Sequence, residues 1–236
     1  MFSETAELYD LIYTNMKDYR EEATKVADLV RSHLPDASHL LDVACGTGEH
    51  AKYLSLEHSF QVDGIDIEPA FVEIARRKVP NGSFECADMV EFDLGNQYDA
   101  VLCLFSSIGY VTGKARLARA IESMLKHVTP GGLLVVEPWF EPAAMQDGRV
   151  MCVTAEGDGT AISRMSHTSV IDRISRLQFE YVIGDSNGLR RAAEVHELCL
   201  YTQSEMLEAF EAGGARVEFD GGGIAGRGLY VGRRGG

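Results

Sequence analysis

The sequence has little positive charge. Its 22 Lys and Arg residues stand against 36 Asp and Glu residues, which gives a formal net charge of −14. Because nucleic acids and anionic membranes are bound through clustered Lys and Arg, we expect neither as a partner. A small anionic substrate held by a few local arginines is still compatible with this charge.

Long apolar runs and cysteine pairs are also missing. No run approaches the roughly 18 apolar residues that a membrane span needs, and the N-terminus lacks the basic and apolar stretches of a signal peptide. The five cysteines are widely spaced and form no C-x-x-C pair, as is typical of buried thiols rather than of disulfides or a zinc site. We therefore expect a cytoplasmic protein without a metal.

Predicted strands and helices alternate over the first 140 residues. Such alternation with short loops is typical of parallel βαβ units, so the sequence predicts an α/β fold with a doubly wound, mostly parallel sheet. The predicted strands cover residues 39–44, 60–65, 83–86, 98–104 and 133–137, and the predicted helices cover 19–34, 49–56, 69–78 and 114–127.

The pattern changes after the fifth strand. Residues 149–201 mostly alternate between apolar and polar, and Ser186-Asn187-Gly188 marks a turn, which predicts an antiparallel β insertion. We divide the chain into an α/β core with an N-terminal helical cap (1–140), the insertion for an acceptor (141–201), and a helix and strands that close the core (202–236).

A glycine turn, Gly46-Thr47-Gly48, joins the first strand to the next helix. Backbone N–H groups at such a junction point toward a ligand. With Ala51 the turn satisfies a loose dinucleotide-binding fingerprint. A tight structural loop would show the same residues, so the turn alone does not identify a ligand.

Acidic residues near three successive strand ends indicate which nucleotide binds. Asp42 precedes the turn, where a carboxylate suits a cationic ligand, such as the methionine end of S-adenosylmethionine, better than a pyrophosphate. Asp66 can accept both ribose hydroxyls. Asp88 can accept from an adenine amine, and Met89 can cover its ring. These residues favour S-adenosylmethionine at the carboxyl edge of the sheet.

The same residues carry a resemblance to a known superfamily. The stretch Leu41-Asp42-Val43-Ala44-Cys45-Gly46-Thr47-Gly48 resembles the first motif of class I methyltransferases. Asp66, Asp88-Met89 and Pro130-Gly131-Gly132 stand where later motifs of that superfamily fall. This resemblance covers residues 38–137 and implies the cofactor but not the substrate.

A second resemblance reaches nearly the whole chain. It is to the bacterial N-methyltransferases that act on dTDP-linked 3-amino deoxysugars and make the dimethylamino sugars of macrolide antibiotics. It implies S-adenosylmethionine-dependent N-methylation of such a nucleotide sugar, and a homodimer. The segments that carry it are Tyr9-Asp10-Leu11-Ile12-Tyr13, Lys17-Asp18-Tyr19, Leu104-Phe105-Ser106-Ser107-Ile108-Gly109-Tyr110, Val136-Glu137-Pro138-Trp139-Phe140, Arg164-Met165-Ser166-His167 and Gly226-Arg227-Gly228-Leu229-Tyr230-Val231-Gly232.

Two departures from that family fall at the sugar end of the site. Trp139 is followed directly by Phe140, where the family often carries two Trp, and the loop between Tyr13 and Lys17 is shorter. The sequence therefore leaves open which amino sugar is used and how many methyl groups are added.

The resemblance and the residue types together predict the site residues. Tyr13 and Tyr110 are the catalytic candidates; because a phenol with a pKa near 10 is a weak base, we expect them to orient the amine first and to assist deprotonation second. The cofactor residues are Tyr19, Asp42, Ala44, Gly46, Gly48, Asp66, Ile67, Asp88, Met89 and Leu104. The substrate residues are Tyr13, Ser107, Trp139, Arg164, His167, Arg173 and Arg227.

Arginine suits a pyrophosphate because its guanidinium donates two parallel hydrogen bonds. Among the candidates we favour Arg227, which lies in a glycine-rich turn where the backbone can approach closely. His196, in the insertion, is expected to be a packing or surface residue.

Other functions fit parts of this pattern. A methyltransferase for a different small-molecule amine would share the cofactor residues, but an uncharged acceptor would not need the arginines. An NAD-dependent oxidoreductase is disfavoured by Asp42 and by the segment Ala87-Asp88-Met89. A non-catalytic S-adenosylmethionine-binding module would not need the insertion.

Overall fold

The structure is a computed structural model that describes residues 6–235, except for the side chain of Glu7. The helices are α1 (Ala6–Tyr13), α2 (Tyr19–His33), α3 (Glu49–His58), α4 (Pro69–Lys78), α5 (Lys114–Lys126) and α6 (Gln203–Ala212). The strands are β1 (His39–Val43), β2 (Gln61–Asp66), β3 (Phe84–Cys86), β4 (Tyr98–Cys103), β5 (Val128–Val136), β6 (Val150–Gly157), β7 (Thr160–Ile171), β8 (Ile174–Asp185), β9 (Gly188–Cys199), β10 (Ala215–Asp220) and β11 (Leu229–Arg234).

The central sheet has seven strands in the order β10-β11-β5-β4-β1-β2-β3. Strands β1 to β5 are parallel, whereas β11 runs antiparallel to both β5 and β10. Two clusters of buried apolar residues pack against this sheet. The predicted α/β fold with a mostly parallel sheet is therefore confirmed.

Strands β6 to β9 form a separate four-stranded antiparallel sheet, as the insertion was predicted to do. Its residues alternate between a buried inner face and an exposed outer face. The inner face packs on Ile12 and Tyr13 of α1 and on Tyr19 at the start of α2. The insertion is thereby placed over the N-terminal helices.

Local sequence sets where the helices begin. The carboxylate of Asp18 caps α2 by accepting from the backbone N–H of Arg20 and Glu21 at 3.0 Å. Thr202 and Glu205 form a reciprocal capping box at the start of α6. Within residues 6–235, no helix combines the length and apolar character that crossing a membrane requires.

The structure differs from the sequence-based expectation at two places. Strand β5 begins at Val128, earlier than predicted, because the backbone continues through Pro130-Gly131-Gly132 with a shift in register opposite β4. The segment after β4 is a single 3-10 turn, Ser107–Tyr110, which the sequence did not predict. That turn carries Tyr110 toward the insertion.

Candidate active site

The carboxyl ends of β1, β2 and β4 lie side by side because these strands are adjacent and parallel. A cavity of about 30 Å³ opens at this edge, far smaller than the roughly 300 to 1,000 Å³ of small-molecule pockets. Its walls must therefore separate to admit a nucleoside. The cavity is lined by Tyr9, Tyr19, Asp42, Ala44, Cys45, Gly46, Thr47, Glu49, His50, Leu104, Phe105 and Ser107.

The glycine turn adopts the conformation that a close ligand approach needs. Ala44, Gly46 and Gly48 have positive φ values of 58°, 55° and 79°. A Cβ on Gly48 would also come within 3.0 Å of the Cβ of Ala75, so only glycine fits there. Since α3 begins directly after Gly48 without a side-chain cap, its first N–H groups face the cavity edge.

Asp42 lies at the base of the cavity, 2% exposed, and its Oδ2 atom has no hydrogen-bond partner among the described residues. Burial, followed by the nearby carboxylate of Asp66, raises the pKa of Asp42 to about 7. A buried carboxylate without a partner is costly, and a cationic ligand would supply the missing partner. The site therefore fits a sulfonium or ammonium group.

Asp66 occupies the end of β2, as predicted. Its two oxygens accept from the backbone N–H of Gly46 at 2.8 Å and of Glu68 at 2.9 Å. Burial raises its pKa, and these backbone hydrogen bonds oppose that shift. The carboxylate is thus held in a fixed orientation beside the glycine turn.

The predicted adenine contacts lie beyond Asp66. The side chain of Ile67 is 62% exposed, which is unusual for isoleucine and leaves an apolar surface uncovered. Asp88 is partly exposed and faces Arg116 at 3.5 Å, while Met89 packs partly against the core. These three residues follow the adjacent strands β2 and β3.

Helix α1 covers the cavity through two polar contacts. Asp10 accepts a hydrogen bond from Thr47 of the glycine turn and pairs with Lys78 of α4 at 2.6 Å. Lys78 also pairs with Glu49 of α3 at 2.7 Å. We call α1 with these contacts the α1 cover; the sequence predicts an N-terminal helical cap but not these contacts.

A buried lysine follows the α1 cover, and sequence reasoning did not assign it. The Nζ atom of Lys17 contacts Glu22 at 2.5 Å and lies 3.7 Å from the centre of the Phe105 ring. Burial lowers its pKa despite the nearby Glu22. Glu22 also pairs with His50 at 2.8 Å. The resemblance motif Lys17-Asp18-Tyr19 was the available signal.

The two catalytic candidates point at the insertion. The Tyr13 hydroxyl accepts from the Nη1 atom of Arg164 at 3.0 Å, and burial raises the pKa of Tyr13. The Tyr110 hydroxyl lies 3.0 Å from Nδ1 of His196, and burial raises its pKa as well. With their pKa values raised, neither phenol is suited to act as a base alone.

The loop after β4 holds strained backbone. Phe105 and Ser106 have positive φ values of 52° and 61°, and such non-glycine conformations cost about 1 to 3 kcal/mol each and often mark functional sites. Buried Glu137 holds this loop by accepting from the Phe105 N–H at 2.6 Å. Its other oxygen lies 3.3 Å from the Nη2 atom of Arg227, so Arg227 reaches the same loop.

Ser107 and Trp139 also lie near this loop. Ser107 lines the cavity, and the Trp139 Nε1–H donates to Ser175 of the insertion at 2.8 Å. The structure thus brings together Tyr13, Ser107, Tyr110, Trp139, Arg164 and Arg227 between the core and the insertion.

Two predicted substrate residues lie elsewhere. His167 is exposed on the outer face of β7, because it alternates with the inward-facing Arg164 and Ser166. The guanidinium of Arg173 is occupied by the Leu200 carbonyl at 3.1 Å and by an ion pair with Glu205. Neither residue lines the cavity, and the assignment of both to the substrate stays a prediction that this placement does not support.

Comparison with known proteins agrees with this geometry. A family model described as a methyltransferase domain matches residues 40–132. The chain is 43% identical, over 97% of its length and 90% of the relative, to a Streptomyces fradiae dTDP-3-amino-3,6-dideoxy-alpha-D-glucopyranose N,N-dimethyltransferase.

Solved structures agree as well. DesVI from Streptomyces venezuelae superposes with a TM-score of 0.92 at 39% identity, covering 97% of this chain and 98% of DesVI. A SAM-bound amino pentose methyltransferase of calicheamicin biosynthesis from Micromonospora echinaspora superposes with a TM-score of 0.83 at 36% identity, covering 92% of each chain. The chain therefore belongs to the family of S-adenosylmethionine-dependent methyltransferases that contains these amino-sugar N-methyltransferases.

Proposed function

We propose that this chain transfers methyl groups from S-adenosylmethionine to the amine of a dTDP-linked 3-amino deoxysugar, as in antibiotic sugar biosynthesis. The observation that carries the proposal is the 43% identity, over 97% of the chain, to an enzyme named for such a substrate. The site supports it, since hydrogen-bonding tyrosines lie beside an edge that favours a cationic cofactor.

The chain's own residues would bind the cofactor along the carboxyl edge. Asp42 pairs with its cationic methionine end, and Asp66 accepts from its ribose. The remaining residues of the cofactor site are Tyr19, Ala44, Gly46, Gly48, Ile67, Asp88, Met89 and Leu104. When bound, S-adenosylmethionine supplies an electrophilic methyl group on a sulfonium.

The acceptor amine would lie between the core and the insertion. The hydroxyls of Tyr13 and Tyr110 orient it by hydrogen bonds, and the insertion (141–201) excludes water above it. Holding two reactants in line lowers the entropic part of the barrier. Only a neutral amine has the lone pair that attacks, so the ammonium must first lose a proton.

The diphosphate would be bound by the cations around Phe105. Glu137 engages Nε and Nη2 of Arg227, which leaves Nη1 for an anion. The Nζ atom of Lys17 lies over the Phe105 ring. Arg164, 5% exposed, has a buried Nε without a partner among the described residues. Ser107 and Trp139 would contact the sugar.

The test is methyl transfer to a panel of dTDP-3-amino sugars, dTDP-4-amino sugars and amines that carry no nucleotide, followed by mass spectrometry. Methylation of the 3-amino sugars supports the proposal, and the mass gives the number of methyl groups. If only the amines without a nucleotide react, the acceptor assignment is wrong. Arg227→Met should raise KM for the nucleotide sugars, and Arg233→Met, exposed on β11, is the matched control.

Two further parts of the proposal concern the setting of the enzyme. We place it in the cytoplasm and expect a homodimer. The dimer is supported by apolar side chains on the outer face of the insertion: Met165 is 50% exposed, and Val182 and Val195 are each 43% exposed. Light scattering should give twice the chain mass for the wild type and a lower mass for Val182→Lys. A monomeric wild type would contradict the dimer.

A further inference from the structure

A connected set of polar side chains lies on the inner face of the insertion. Glu194 and His196 alternate along β9 toward that face, and they are 7% and 1% exposed. Tyr110 reaches them from the 3-10 turn after β4. Polar groups this deeply buried are costly unless they are hydrogen-bonded, and these three side chains are hydrogen-bonded to one another.

The hydrogen bonds of this set are satisfied by one assignment of donors and acceptors. The Nε2 atom of His196 lies 3.4 Å from a Glu194 oxygen, and the Tyr181 hydroxyl donates to the same oxygen at 2.9 Å. A neutral imidazole has one donor and one acceptor nitrogen. With Nε2–H facing the carboxylate, Nδ1 is the acceptor, and the Tyr110 hydroxyl donates to it across 3.0 Å.

This direction determines what Tyr110 offers to an acceptor. Since its proton points at His196, its oxygen lone pairs are left to accept. Tyr110 belongs to the same 3-10 turn as Ser107, which lines the cofactor cavity, and Tyr13 packs against Tyr9 of that cavity with ring centroids 4.3 Å apart. The Tyr110 oxygen is thus an acceptor placed near the reacting centre.

We propose that Tyr110, His196 and Glu194 form a proton relay, in which His196 takes up the proton that the acceptor ammonium must lose; this rests on the proposed function. An N–H bond of the ammonium breaks toward the Tyr110 oxygen while the Tyr110 O–H proton moves to Nδ1 of His196. The substrate nitrogen keeps its electron pair and becomes a neutral amine.

The relay explains how a poorly acidic phenol can assist. Burial raises the pKa of Tyr110, so a free phenolate there is unfavourable. In the relay Tyr110 stays neutral throughout, and the positive charge moves to the imidazole, where the Glu194 carboxylate stabilises it. After the transfer, His196 returns the proton through Tyr110 to water that enters the emptied pocket. His196 acts through Tyr110 and is therefore a positioning and proton-accepting residue rather than one that contacts substrate.

An aromatic ring and a guanidinium pack near the relay. The Phe179 ring of β8 packs on the imidazole with centroids 5.0 Å apart. The guanidinium of Arg164, from β7, lies 4.4 Å from the centre of the same Phe179 ring and donates to Tyr13 of α1. The Arg164 cation thus lies at the Phe179 ring, and the Glu194 carboxylate lies 3.4 Å from Nε2 of His196.

The test compares pH profiles of kcat for wild type, His196→Asn and Tyr110→Phe, with exposed His33→Asn as the control. We expect His196→Asn to lower kcat about 10- to 100-fold at pH 7, as for a lost general base, with KM changed less. Its kcat should recover toward wild type at pH 9 to 10, since the amine is then deprotonated in solution and does not need the relay. Tyr110→Phe combined with His196→Asn should cost little more than Tyr110→Phe alone.

A loss of kcat that is equal at all pH values, or none at all, would overturn the relay. Nitrogen-15 NMR of the histidine rings of the wild type adds a readout besides activity: we expect His196 protonated at Nε2 and not at Nδ1, and the opposite tautomer would refute the relay even if the variant failed to fold. If the wild type binds S-adenosylmethionine but methylates no sugar amine, the proposed function fails instead.

Discussion

At the scale of single residues, the buried carboxylate of Asp42 lowers the stability of the cofactor-free protein but favours binding of a cationic cofactor. Burial raises its pKa from 3.8 to about 7, so between these pH values the folded state holds a proton that the unfolded state has lost. The free energy of unfolding therefore decreases as the pH rises from 3.8 to about 7, and above this range the protonated carboxyl no longer contributes to it. A bound cation reverses the preference, because it favours the carboxylate.

We expect Asp42→Asn to stabilise the cofactor-free protein at pH 8 by about 1 to 3 kcal/mol, a shift of several degrees in Tm. The same change should weaken S-adenosylmethionine binding by about tenfold or more, since it removes a charge-assisted contact. Calorimetry should show that wild-type affinity falls below pH 7 and that the variant's affinity does not. A lower Tm with unchanged affinity would contradict this account; exposed Asp28→Asn is the control.

Arg173 and Arg227 show the difference between what residue type predicts and what depends on the position of the side chain in the fold. Sequence reasoning assigned both Arg173 and Arg227 to the substrate, because residue type alone carries no information on which donors are already used. The guanidinium of Arg173 donates to the Leu200 carbonyl and pairs with Glu205, and both partners are distant from Arg173 in sequence. Asp42, Asp66 and the glycine turn could be predicted because each follows or ends a strand of a parallel sheet, where topology fixes the position.

We expect Arg227→Met to raise KM for a dTDP-amino sugar about 10- to 100-fold, as for the loss of a buried charge-assisted contact. Arg173→Met should leave KM within about twofold and lower Tm slightly, because its ion pair is partly exposed. Steady-state kinetics with both variants provide the comparison. Equal effects on KM would show that Arg173 belongs to the site after all.

At the scale of elements, the strands of the core and the insertion could be predicted from periodicity, whereas the α1 cover could not. Its contacts join Asp10 to Thr47 and to Lys78, which are 37 and 68 positions away. No local pattern encodes such pairings. The relay from Tyr110 to His196 spans 86 positions and was missed for the same reason, so His196 was expected to be a packing or surface residue.

We expect Lys78→Met to loosen the α1 cover, since Asp10 and Glu49 lose a shared cation in a half-buried setting. Hydrogen exchange should accelerate in α1 but not in β7 to β9, and S-adenosylmethionine should dissociate about 3- to 30-fold faster, equivalent to about 1 to 2 kcal/mol. Lys126→Met, which breaks an exposed helical pair with Glu122, is the control. Unchanged exchange in α1 would show that these contacts do not hold it.

At the scale of the whole molecule, the charge of −14 acts on both ligands before they touch the site. The cofactor carries a net positive charge and the nucleotide sugar a negative one. Long-range attraction therefore favours the first and opposes the second, and salt screens both effects.

We expect the association rate of S-adenosylmethionine to fall about 2- to 10-fold between roughly 10 and 300 mM salt. The association rate of S-adenosylhomocysteine, which has no net charge, should change less, and that of the nucleotide sugar should rise. Stopped-flow fluorescence can measure all three. Identical salt dependence for the two adenosyl ligands would mean that local contacts, not the overall field, govern encounter.

The position of helix α1 has a consequence for how successive methyl groups are added. The same eight-residue helix closes the cofactor cavity through Asp10 and presents Tyr13 to Arg164 of the insertion. Because α1 contacts both sites, a helix that lifts to exchange spent for fresh cofactor also opens the wall of the acceptor pocket. A sugar that has gained one methyl group is then free to diffuse away. If a second methyl group is added, we expect its transfer to be distributive, with the monomethylated sugar accumulating in solution before it reacts again.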